Sequence, residues 1–77
     1  MEPDDGPLTE FAAQLRNLRK EAGSPPYRQL ARRAHFSSSA LSDAAGGRRL
    51  PSLDITLAYV RACGGDDEVW QSRWHAV

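Results

Sequence analysis

At 77 residues the chain has room for one small domain, and its 40% apolar content suits a packed core. It has no run of about 18 apolar residues to span a membrane, and its acidic opening, MEPDDGP, lacks the apolar stretch of a secretory signal. The single cysteine, Cys63, can close no internal disulfide, so a reducing cytoplasm is the expected compartment.

Five helices and no strand are expected. Residues 1–6 read as a disordered acidic tail, and residues 7–77 as the folded part. The first helix runs from about Pro7 to Ala22, with Leu8, Phe11, Leu15, Leu18 and Ala22 recurring on one face. Pro7 fits a first helical position, where no backbone donor is needed. Gly23, Pro25 and Pro26 stop the helix.

The second helix starts at Pro25 or Pro26 and ends near Ala34, with Leu30, Ala31 and Ala34 inward. Ala31 is small enough to let a neighbouring helix cross closely. His35-Phe36 forms the turn. His35 stands where a left-handed residue is needed, and histidine is among the non-glycine residues that tolerate that region. Ser37 is a natural N-cap for the third helix, which extends to about Ala45 with Leu41 and Ala44 inward. Gly46-Gly47 ends it.

Ser52 caps a fourth helix. Leu53, Leu57 and Val60 form its apolar face, thickened by Ile55, Tyr59 and Ala62, and Gly64-Gly65 closes it. Asp66 caps a fifth helix with Asp67 and Glu68 in the first turn, where carboxylates suit the positive end of the dipole. Trp70, Trp74 and Val77 share one side of that helix, as core or as an interface. The chain ends on Val77 without a C-cap signal, as expected of a fragment of a longer protein or of a linker to further domains.

Formal net charge is zero, but the charge is unevenly spread. Residues 1–15 carry −4 and residues 50–77 carry −2. Residues 16–49 carry +6, from Arg16, Arg19, Lys20, Arg28, Arg32, Arg33, Arg48 and Arg49 against Glu21 and Asp43. Positive charge gathered on the helix-turn-helix segment is the footprint of a nucleic-acid partner, while charge runs alone equally describe solvated helix faces.

Chemistry other than binding has little support in the sequence. His35 and His75 stand far apart, with no cluster of metal ligands. Gly46-Gly47 lacks both the preceding strand and the following lysine of a phosphate loop. No nucleophile–base pair is legible, so neither enzymatic activity, a cofactor nor a metal is expected. Cys63 reads as a small buried hydrophobe.

Several spaced elements together carry a resemblance: Gln29-Leu30-Ala31, Leu41-Ser42, Gly47-Arg48 and Pro51-Ser52. Over roughly Phe11 to Trp74 the chain resembles the lambda-repressor-like (Cro/repressor, XRE class) helix-turn-helix domains. It also resembles the amino-terminal domains that high-GC Gram-positive bacteria fuse to regulatory proteins, in which RACGG followed by an acidic turn and a tryptophan helix is common. The resemblance implies an all-α, compact five-helix domain whose second and third helices form the helix-turn-helix. It implies double-stranded DNA binding in the bacterial cytoplasm, at the nucleoid when bound, by a transcriptional regulator or its DNA-targeting module.

By the same resemblance Ser37–Ala45 is the recognition helix, with Ser38, Ser39, Ser42 and Asp43 facing the bases. Tyr27 and Arg28 open the second helix, where relatives touch the DNA backbone, and Arg48 and Arg49 reach phosphates. Ser37 caps and can also meet a phosphate. The bland reading of the serines is capping and solubility. Arg32 and Arg33 read as solvated or acid-paired. Relatives often bind as dimers on paired half-sites, and a homodimer through the C-terminal helix is the corresponding expectation. The alternative is a protein-interaction module on the same scaffold, with weak or lost DNA binding. It is favoured by Asp43 and by a recognition helix without glutamine, arginine or asparagine.

Overall fold

A computed structural model describes residues 6–77, so the expected acidic tail lies, but for Gly6, outside the described residues. Five helices follow one another: α1 Pro7–Glu21, α2 Tyr27–Ala34, α3 Ser38–Ala44, α4 Leu53–Ala62 and α5 Asp67–Ala76. No strand occurs among the described residues.

The boundaries follow local chemistry. Gly6 takes the N-cap of α1 without a side-chain bond, and Pro7 follows it as expected. The end of α1 is tighter than the expected Gly-Pro-Pro stop. Gly23 and Ser24 both adopt positive φ, 96° and 53°. Their amides reach back to Lys20 O at 3.1 Å and Arg19 O at 2.9 Å, satisfying carbonyls the helix leaves open. Ala22, expected on the inner face, is the exposed C-cap.

α2 begins at Tyr27, later than expected. Pro26 stays extended (φ −64°, ψ 152°) as its N-cap, and Pro25 is buried before it. The Pro26 ring disfavours helical backbone at Pro25, which rules out the earlier of the two expected starts. Ser52 Oγ accepts from Ile55 N at 3.3 Å, and Asp66 Oδ1 accepts from Glu68 N and Val69 N at 2.9 and 3.3 Å. Both caps match expectation.

α2 packs on α3 and α4, and α4 on α3 and α5. Phe11, Leu15, Leu30, Leu41, Tyr59, Val60 and Trp70 form the buried centre. α1 closes over it through side chains. Phe11 meets Trp70 edge-on at 5.7 Å, and Leu15 O accepts from the Tyr59 hydroxyl at 3.1 Å. Burial, with Tyr27 beside it, pushes the Tyr59 phenol well above its ordinary value.

The inner face of α4 differs from expectation. Thr56, Ala58, Tyr59, Val60 and Ala62 are buried, while Leu53 and Leu57 are half-buried. Tyr59 serves as core instead of flank: its hydroxyl reaches Leu15 O of α1 and its ring centre lies 6.3 Å from that of Tyr27. Thr56 can be buried because its hydroxyl donates to Ser52 O at 2.9 Å. Leu8 and Leu18 are likewise only half-buried on α1. Cys63 is half-buried. Desolvation raises its thiol pKa, partly offset by Arg19 and Arg33.

Candidate nucleic-acid interface

The turn between α2 and α3 is built on His35. It sits in the left-handed region at φ 61°, ψ 30°, and its amide donates to Ala31 O at 2.9 Å. One left-handed residue redirects the chain within three positions, and that fixes the angle at which α3 leaves α2. Ala31 itself is half-buried and packs against the core from beneath the turn.

Ser37 then starts α3. Its Oγ accepts from Ala40 N at 3.0 Å and its carbonyl accepts from Leu41 N at 3.1 Å. Ser37 and Ala45, expected as the ends of the helix, are its N-cap and C-cap. Leu41, Ala44 and Ala45 are buried. Ser39, Ser42 and Asp43 are exposed on the other side, and Ser38 is half-buried. Helical spacing thus divides seven residues into a face that packs and a face that does not.

The loop after α3 turns at Gly47, φ 82°. A Cβ placed on that residue would stand 3.4 Å from Ala12 Cβ, so the loop backbone rests on α1. Arg48 and Arg49 follow, both exposed. They line one shallow hollow with Asp43. A second hollow joins Asp43 and Arg49 to Ala40, Ala44, Leu50 and Ile55. The structure therefore brings Asp43, Arg48 and Arg49 together at the foot of α3. Phe36, in the turn, is also exposed.

The basic segment divides into two groups. Arg16 Nη1 donates to Ala45 O at 2.7 Å, Arg19 Nε to Pro25 O at 2.7 Å, and Arg33 Nη1 to Ala62 O at 3.1 Å. These three tie helix ends and a loop together. Arg33, expected to be solvated or acid-paired, is exposed without an acid partner and also closes the C-terminus of α4, where open carbonyls carry the negative end of the dipole. Lys20, Arg28, Arg32, Arg48 and Arg49 make no such bond or ion pair among the described residues, where the one ion pair is Arg61–Asp67 at 2.7 Å.

Tyr27 is half-buried. The Arg19 guanidinium lies 4.5 Å from its ring centre, and the Tyr59 ring is 6.3 Å away. Its ring belongs to the packing, while its neighbour Arg28 is exposed. Like Arg19, Arg16 stands out in the sequence only by its charge. Its role depends on a partner 29 positions away, which no local pattern reveals.

The expected dimer surface is largely used inside the fold. Trp70 is 4% exposed, and Trp74 Nε1 donates to Pro51 O at 2.8 Å. Val69 and Val77 are the exposed large apolar residues of the C-terminal segment. Among the described residues, no group of three or more histidine, cysteine, aspartate or glutamate side chains could hold a metal ion. No described helix is long and apolar enough to cross a membrane.

A family model described as a helix-turn-helix domain matches residues 10–70. No curated protein matches the chain, and no solved structure does.

Proposed function

Because the chain belongs to the helix-turn-helix domain family, we propose that it binds double-stranded DNA with α3 in the major groove, as a transcriptional regulator or its DNA-targeting module in the bacterial cytoplasm. The observation that carries this reading is the division of α3. Leu41 and Ala44 hold it to the core, while its exposed face lies beside the uncommitted Arg48 and Arg49. A helix fixed from behind, with cations at its foot, can lie between two phosphate strands.

In this reading Arg28, Arg48 and Arg49 hold phosphates, which positions the domain without reading sequence. Ser38, Ser39, Ser42 and Asp43 face base edges. Tyr27 contributes at most through the exposed rim of its ring. Two copies on half-sites about one helical turn apart raise the affinity of so small a module, and Val69 and Val77 are the apolar residues α5 and its C-cap leave for such a contact.

The test is fluorescence anisotropy of a labelled duplex with the full chain across salt concentrations. Three phosphate contacts predict a slope of log affinity against log salt of about −2.7. Absence of binding at about 50 mM salt, or binding indifferent to salt, overturns the reading. It would favour a protein-interaction module, the second reading, which rests on Asp43 standing exposed on an α3 without a basic side chain.

A further inference from the structure

Resting on the proposal that α3 enters a major groove, we propose that Asp43 sets the sequence preference of this domain and that it selects a cytosine.

Asp43 breaks a local rule. It lies in the last turn of α3, where the dipole is negative and a basic residue is favoured, and α3 has none there. Arg16 of α1 serves the carbonyl at that helix end, but among the described residues no side chain pairs with the Asp43 carboxylate itself, which is exposed. Residues that break such rules without structural return concentrate at functional sites.

Its neighbours explain how a carboxylate can approach DNA. Arg48 and Arg49 line the same hollow. Positive charge from these two exposed arginines around the hollow offsets the carboxylate's repulsion from the phosphates, and the same side chains are free to meet those phosphates.

Chemistry then narrows the base. Ser39 and Ser42 can each donate or accept, so they discriminate poorly. A carboxylate only accepts, and it is the one side chain on the exposed face with a single hydrogen-bonding sense. Two major-groove groups donate, the cytosine N4 amino and the adenine N6 amino. Adenine places the N7 acceptor beside its amino group, which repels a carboxylate. Cytosine has no acceptor beside N4 in the groove on its own ring. The acceptor at Asp43 therefore favours cytosine over the other three bases.

The experiment selects bound duplexes from a pool with a randomised segment, using the full chain, Asp43→Asn and Asp43→Ala. Circular dichroism checks that each variant is folded, and the exposed position makes both substitutions tolerable. The expected result is one position at which the unsubstituted chain enriches cytosine roughly five-fold or more. Asp43→Asn moves that position toward adenine, because an amide can donate to N7 and accept from N6. Asp43→Ala flattens it. The same preference in all three proteins, or a preference without cytosine, overturns the role of Asp43 and leaves duplex binding standing. No duplex retained by the unsubstituted chain overturns both.

Discussion

Arg16 of α1 donates to the main-chain oxygen of Ala45, the C-cap residue of α3, across 2.7 Å. α3 spans seven residues and has no basic side chain of its own in its last turn. The charge that a helix C-terminus favours is thus supplied from another helix. The bond also ties the foot of α3 to the helix on which the Gly47 loop rests, so α1 supports both parts of the proposed interface.

Arg16→Ala is expected to cost about 1 kcal/mol of stability, since one hydrogen bond is lost and Arg16 is otherwise exposed. Under conditions where the variant stays folded, DNA affinity should fall while the salt slope is unchanged, because no phosphate contact is removed. Urea unfolding and salt-dependent anisotropy read the two effects separately. A flatter slope would make Arg16 a phosphate ligand instead.

Arg48→Ala with Arg49→Ala should act oppositely. Neither side chain bonds within the described fold, so the melting temperature should move little. The salt slope should become less steep by about 1.8, two contacts at roughly 0.9 each. An unaltered slope in the folded double variant would remove both arginines from the interface.

His35→Gly tests the turn. A non-glycine residue at φ 61° carries strain, on the order of 1 kcal/mol, that glycine avoids at the expense of unfolded-state entropy. The expected outcome is a modest rise in melting temperature, and a fall for the β-branched His35→Val. The opposite order in thermal melts would mean that the imidazole supports the turn by a contact of its own.

Gly65→Ala is expected to destabilise by about 1–3 kcal/mol through overpacking. An added Cβ would lie 2.8 Å from Val60 Cγ1 and 3.2 Å from Leu18 Cδ2. Both neighbours belong to the packed region where α4 ends against α1, with Val60 fully buried. Chemical denaturation reads the cost, and an unchanged midpoint would show that the α4–α5 corner can shift.

Much of this arrangement is legible in local chemistry. Ser37, Ser52 and Asp66 each announce a helix start because a short acceptor side chain precedes a helical pattern. His35 announces the turn by standing where φ must be positive. The inner residues of α3 follow from spacing alone. What local pattern does not carry is pairing at distance. Apolarity ranks Leu53 and Leu57 above Tyr59, yet Tyr59 takes the centre because Leu15 O stands ready to accept its hydroxyl. Among eight bases in one segment, sequence alone does not separate Arg16, Arg19 and Arg33, which bind carbonyls, from Arg48 and Arg49, which do not. Spacing leaves Trp70 and Trp74 as core or interface until Phe11 and Pro51 are seen against them.

Tyr59 is expected to set an alkaline limit on stability. Desolvation, reinforced by the neighbouring Tyr27, raises its phenol above the ordinary value of about 10. In the unfolded chain the phenol ionises near that ordinary value, whereas in the folded chain it stays protonated. Its contribution to stability is therefore complete below about pH 10 and is lost as pH climbs from there toward the raised folded value. The Cys63 thiol, raised by burial, acts in the same direction and begins to lose its contribution at lower pH. Denaturation midpoints measured from pH 8 to 11 should fall, more steeply above 10. Tyr59→Phe should be less stable at pH 7 by about 1 kcal/mol, for the bond lost to Leu15 O. It should also lose the steep part of the decline, and Cys63→Ala should lose only the shallower part. A Tyr59→Phe variant that declines as steeply as the unsubstituted chain would place the alkaline weakness elsewhere in the fold.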